Sequence, residues 1–320
     1  MNGTKTNSAQ LVQRTVPLID ENSFRPVGIR ADAAERIHRP SQTYLQDALR
    51  RFRQNKASVL GVALLALFVV MSFAGPLLTP YPYNATDLLS ANQAASSAHW
   101  FGTDELGRDM WARIWTGGRV SILIGILAAL LQGTIGIIMG SIAGFAGGKV
   151  DSIIMRTVEF LLAFPYLVWV TLLMMVTGSG ILPMILALTL TGWLSMARLV
   201  RGQILSLKNE DYVLAAESLG ANGPSIIWKH MIPNMMGVII VNMTFAIPGA
   251  IFSEAFLSFI GIGIKSPQTS WGLLVSMGMK QIYTYPLRLF LPCLCVSLTM
   301  LSLQLIGDGL RDALDPKLRQ

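Results

Sequence analysis

Five stretches free of Asp, Glu, Lys and Arg decide what this chain can fold into: residues 57–78, 120–148, 160–197, 231–253 and 289–307, which are 22, 29, 38, 23 and 19 residues long. A helix needs roughly 20 apolar residues to cross a hydrocarbon core about 30 Å thick. The 38-residue stretch is therefore two spans, joined at Thr177, Gly178, Ser179 and Gly180. Six transmembrane helices are predicted, at about 57–78, 120–146, 154–176, 181–199, 235–260 and 288–307. With 52% hydrophobic and 13% charged residues, the chain lacks the amphipathic elements that would bury six such helices in a water-soluble core. The fold class is an all-α integral membrane protein of the cytoplasmic membrane.

The few charges give an orientation. Residues 1–56 carry ten of the 25 lysines and arginines, with Arg50, Arg51, Arg53 and Lys56 abutting the first span. The segment between spans one and two carries Arg108, Arg113 and Arg119 against Asp87, Asp104, Glu105 and Asp109. The positive-inside rule then places both termini in the cytoplasm, together with loop 198–230 and its Arg198, Arg201, Lys208 and Lys229. Only segment 261–288, with Lys265, Lys280 and Arg288, fits its outside placement poorly. The net charge of +7 is a topology signal, and no basic soluble domain is left over to bind nucleic acid. Tyr44, Leu45, Ala48, Leu49 and Phe52 recur at helical spacing, which predicts a short interfacial helix leading into span one. No apolar segment near Met1 reads as a cleavable signal, and residues 1–40 read as a flexible tail.

Catalytic patterns are not visible. His38, His99 and His230 lie far apart, and Cys293 and Cys295 have no metal-ligand company and read as buried reduced thiols. Lys149 follows Gly147 and Gly148, but Ala143 and Val150 stand where a phosphate-binding loop requires Gly and Ser or Thr. Gly136, Gly140 and Gly144 recur every four residues, the close-packing pattern of membrane helices. Pro165, Pro183 and Pro248 fall inside spans three to five, for kinks that serve either a hinge or packing. Glu159 and Glu254 are costly in lipid, face protein or water, and are the candidates for a pore or gating role.

Loop 207–234 reads as a helix–turn–helix knob. Asn209 is placed to cap a first helix carrying Glu210 and Asp211 in its first turn, and Gly220 to end it. Asn222 or Gly223, followed by Pro224, starts a second helix. Small Ala215 and Ala216 allow a partner surface to approach closely.

This knob resembles the coupling loop of ATP-binding-cassette importers, whose pattern is Glu-Ala-Ala, three residues, Gly, then His and Pro. The matching positions are Ala215, Ala216, Gly220, His230 and Pro233. Leu214 stands where the family has Glu, and Glu217, three residues on, is the candidate substitute. Segments 99–109, 254–263, 270–272 and 307–319 are similar to the C-type permease of oligopeptide and dipeptide importers, so that the likeness runs from about Tyr44 to Gln320. The resemblance implies a type I importer transmembrane fold at 117–315, with residues 57–116 as the extension typical of the peptide group and 316–320 as a cytoplasmic tail. It implies a noncatalytic pore half that pairs with a homologous permease, two cytoplasmic ATPases that use ATP and Mg, and an extracytoplasmic peptide-binding protein. It implies no cofactor or metal on this chain. Nickel chelates are the alternative cargo within the family; a proton-driven transporter and a noncatalytic membrane scaffold are the rivals outside it.

Overall fold

A computed structural model describes residues 44–314. The tail at 1–40 and the cations Lys317 and Arg319 lie outside the described residues.

Among these residues every regular element is helical. The interfacial helix α1 (Tyr44–Gln54) is followed by α2 (Lys56–Ala74), which ends in a 3-10 turn at Gly75–Leu78. Then come α3 (Met110–Ala146), α4 (Gly148–Ala163), α5 (Tyr166–Thr177) and α6 (Ile181–Leu207). The knob holds α7 (Asp211–Ser218) and α8 (Gly223–Ile226); a π-helical turn at Ile227–Met231 leads into α9 (Ile232–Phe259). The chain finishes with α10 (Trp271–Met279) and α11 (Leu287–Leu314). Five helices are long and apolar enough to cross a membrane, and the bent pair α4–α5 makes a sixth if counted as one span.

Several boundaries differ from the sequence expectation, each for a physical reason. The third span is broken rather than straight, since α4 and α5 meet at 88°. Phe164, ahead of Pro165, is held extended at φ −102°, ψ 145°, as a residue before proline must be. Pro183 is the third residue of α6, where no backbone donor is lost, so it does not interrupt that helix, whereas Pro248 and Pro292 do sit inside α9 and α11. Helix α3 begins at Met110, ten residues before the predicted 120, because the charges in its first turns find partners within the protein. Asp109 caps it by accepting from the Ala112 N–H at 2.8 Å. Arg119 donates to the Ser72 carbonyl and stacks over Phe73 at 4.9 Å. Absence of charge was too strict a criterion for where that helix starts.

The core is a seam between α3 and α6, with α9 against both. A Cβ on Gly136 would meet Met196 at 2.5 Å, one on Gly140 the Ala197 carbonyl at 2.5 Å, and one on Gly144 Ile204 at 2.8 Å. The four-residue glycine repeat is thus a packing device, as its spacing predicted. Helices α1 and α2 lie along α11, where Ser58 and Phe52 fill the space above Gly309.

The end opposite the knob is closed by segment 79–109 folding onto 261–288. Arg288 is buried there: it donates to Asn92 Oδ1 at 2.9 Å, to Gln281 and to the Thr103 carbonyl, and stacks on Tyr285 at 4.0 Å. Arg108 reaches Ser266 Oγ at 3.2 Å, and Gln281 reaches Glu105 at 3.1 Å. Arg288 therefore faces protein rather than solvent, whereas Lys265 and Lys280 of the same segment are exposed.

Candidate coupling surface

The knob is anchored by an apolar inner face. Val213, Ala216 and Ile226 are buried with Val200 and Ile204 of α6 and with Met231 and Met235 at the start of α9. Phe145, at the end of α3, pins it from the side. Lys208 donates to the Phe145 carbonyl at 2.8 Å and lies 5.3 Å from the ring centre, and a Cβ on Gly223 would come within 2.6 Å of that ring. Beside it Arg201 of α6 pairs with Asp151 of α4 through two bonds of 2.5 Å. The knob thus packs against α3, α6 and α9, and α4 is tied to α6 beside it.

The local chemistry follows the sequence with one shift. Gly220 ends α7 at φ +82°, and Asn222 caps α8 by accepting from the Ser225 N–H at 3.0 Å. Glu210, not Asn209, occupies the N-cap of α7, and its side chain makes no capping bond. The two alanines part company. Ala215 is exposed, whereas Ala216 is buried inside the knob, because adjacent helical residues point about 100° apart. Of the two, only Ala215 is on the outside of the knob. Glu217 is exposed beside Leu214, His230 is half-buried in the π turn, and Pro233 is exposed in the first turn of α9.

The knob's outer face is more apolar than its composition suggested. Leu219 is 89% exposed, Trp228 59% and Leu214 48%. Three large apolar side chains of the knob are thus left facing outward. The sequence signal for Leu219 was slight: an apolar residue immediately before the glycine that ends a helix, where an inner-face position would have pointed the other way.

The two glutamates are not brought together. Glu159 lies on the exposed face of α4, 3.7 Å from Arg156. Glu254 is fully buried in α9, where Ser121 Oγ donates to it at 2.7 Å and Ser258 Oγ at 2.8 Å. The Trp271 N–H donates in turn to Ser121 Oγ at 3.2 Å, so this carboxyl ties α3, α9 and α10 into one joint. Cys293 and Cys295 are free thiols, and no group of three or more His, Cys, Asp or Glu among the described residues is placed to hold a metal ion.

Two family models match the chain: the binding-protein-dependent transport system inner membrane component over residues 136–320, and the N-terminal TM domain of oligopeptide transport permease C over residues 43–95. The oligopeptide transport system permease protein OppC of Bacillus subtilis (strain 168) is 48% identical over 302 residues, covering 94% of this chain and 99% of the relative. The dipeptide transport system permease protein DppC of the same organism is 49% identical over 288 residues, 90% of each. OppC of Haemophilus influenzae is 42% identical over 306 residues, 95% of this chain and 98% of the relative.

Proposed function

The chain belongs to the family of binding-protein-dependent transport system inner membrane components, and from that premise we propose that it is one transmembrane permease subunit of an ATP-driven importer of oligopeptides or dipeptides. It forms half of the translocation path, with a second, homologous permease forming the other half. Two cytoplasmic ATPases bind ATP and Mg and dock on the knob, and an extracytoplasmic binding protein delivers the peptide to the opposite end. Both ends of the described chain lie at the knob end, the cytoplasmic side in this reading.

The observation that carries the reading is the knob: an apolar outer face of Leu214, Leu219 and Trp228, backed by an inner face locked into α6 and α9. A lipid-facing loop needs no such docking surface, and a secondary transporter has no ATPase to seat on it. Closure of the ATPases on ATP displaces the knob, and the Phe145, Lys208 and Arg201–Asp151 contacts carry the displacement into the helix bundle. The proton-driven alternative loses its better candidate, because the Glu254 carboxyl is enclosed and hydrogen-bonded on both oxygens. Relatives named for peptides match nine-tenths or more of the chain, which favours peptide over nickel chelate as cargo.

The test is reconstitution of the four-subunit transporter with its binding protein in liposomes. Peptide uptake is expected to require ATP and to survive collapse of the proton gradient; uptake that follows the gradient and ignores ATP overturns the proposal.

Two substitutions probe the knob. Leu219→Asp is expected to leave the abundance of the chain unchanged, since the side chain is exposed, but to weaken ATPase co-purification by about 30-fold or more, the loss of an interface hot spot of about 2 kcal/mol. Full ATPase retention in this variant argues against docking there. Glu217→Ala is expected to reduce ATPase binding about fivefold if Glu217 supplies the polar contact that Leu214 cannot, an ionic contact worth about 1 kcal/mol. Wild-type binding and uptake in Glu217→Ala dismiss that role.

A further inference from the structure

Midway along the bundle three helices converge on a notch lined by Gln132 of α3, Ser195 of α6 and Asn242 of α9, enclosing a cavity of about 110 Å³. Counting along each helix, Gln132 is about 21 Å from the knob end of α3, Ser195 about 18 Å from that end of α6, and Asn242 about 26 Å from the opposite end of α9. All three therefore sit at hydrocarbon depth if the bundle spans a bilayer about 30 Å thick. Resting on the peptide-importer reading above, we propose that this notch holds the backbone amide groups of the peptide as it passes, independently of its side chains.

The polar groups are only partly engaged within the chain. The Gln132 amide donates to the Leu188 carbonyl at 3.1 Å, and the Asn242 amide donates to the Val238 carbonyl one turn back at 2.9 Å. The two amide oxygens and the Ser195 hydroxyl have no hydrogen-bond partner among the described residues. Exposed polar side chains at this depth are unfavourable against lipid, so the notch faces water or a polar ligand. The placement of Gln132 is built in: a Cβ on Gly192 would lie 2.1 Å from its amide carbon, so glycine at 192 makes room for that side chain over α6.

The remaining lining points to backbone recognition. No charged residue lines this notch, and Met196 and Met243 supply deformable apolar walls. Fixed amide groups match the repeating C=O and N–H of any peptide, while methionine adapts to varied side chains. At about 30 Å³ per water molecule the cavity holds about four waters, the bulk of a single peptide unit. Asn242 also borders a second cavity of about 450 Å³ between α9 and α11, whose one charged lining residue is Arg311 near the knob end. Asn242 is thus the residue common to the linings of both hollows.

The experiment uses the reconstituted transporter with trialanine, trilysine and triglutamate as probes. Asn242→Ala and Gln132→Ala are expected to raise the KM for all three by about tenfold each, the loss of one hydrogen bond, with kcat and ATPase binding within about twofold of wild type. In Ser195→Cys, a small hydrophilic thiol reagent is expected to react from the water phase, and saturating trialanine to slow that reaction, measured over the background from Cys293 and Cys295. Three results each overturn the notch as a peptide site: unchanged KM in both alanine variants, a charge-dependent change confined to one peptide, or an introduced thiol in Ser195→Cys that is equally unreactive with and without peptide because the second permease covers it. Wild-type transporter that takes up no peptide with ATP overturns the peptide-importer reading itself, an outcome read from the unmutated complex alone.

Discussion

Asp104→Ala is expected to destroy the end of the molecule opposite the knob. Three buried guanidinium groups gather there, and Asp104 is the carboxylate that two of them, Arg108 and Arg113, share. Arg108 Nε donates to it at 2.7 Å, fully buried Arg113 lies 3.6 Å away, and Arg288 reaches the carbonyl of the preceding Thr103. The same carboxylate shapes its own turn by accepting from the Leu106 and Arg108 N–H groups, each at 2.9 Å. Alanine removes the charge and both turn bonds at once, leaving like charges enclosed together. Removing one partner of a buried ion pair costs about 3–5 kcal/mol, comparable with the whole stability of many domains. Asp104→Asn, which keeps an oxygen for the turn but not the charge, is expected to fall between. Limited proteolysis of the detergent-extracted protein, read at residues 79–109 and 261–288, checks this: wild-type protection in Asp104→Ala contradicts the account.

That cluster also shows where sequence reading stops. Runs without charge located α2, α6, α9 and α11 to within about eight residues, because burial in lipid selects against charge locally, residue by residue. The glycine repeat at 136, 140 and 144 and the αL turn at Gly220 were legible for the same reason: a short-range steric requirement leaves a short-range mark. The start of α3 was not, since Arg113 and Arg119 are neutralised by Asp104 and by the Ser72 carbonyl, partners far along the chain or outside the span. Pro165 was noticed as a kink, but its 88° consequence depends on α5 packing against α6 after the break. At the knob, spacing located Ala215 and Ala216 without revealing that one is exposed and the other buried, and the exposed Leu219 and Trp228 became visible only once the inner face was occupied. The succession of helices and the helical loop at 207–234 were thus written in local pattern, and the surface of that loop in tertiary packing.

Gly140→Leu is expected to separate α3 from α6, the two helices that carry the knob's motion in the proposed mechanism. The missing Cβ at Gly140 faces the backbone of α6: it would lie 2.5 Å from the Ala197 carbonyl oxygen, 3.1 Å from Ala197 Cα and 2.8 Å from Val200 Cβ. A flexible side chain can turn away from an added group, but a helix backbone cannot, so leucine must push α6 bodily from α3. Overpacking of this kind costs about 3 kcal/mol or more, over a hundredfold in folded population. The displaced segment includes Val200 and Ile204, on which Val213, Ala216 and Ile226 of the knob rest. The chain is therefore expected to assemble poorly, and any transporter that forms is expected to hydrolyse ATP without proportionate peptide uptake, because the knob no longer moves with the bundle. Gly202→Ala, on α6 itself, serves as control, since a Cβ there meets nothing within 4 Å and should change neither quantity. The measurements are the yield of detergent-extracted complex and the number of ATP molecules hydrolysed per peptide imported. If Gly140→Leu matches Gly202→Ala in both, the α3–α6 seam is not the element through which the knob drives transport.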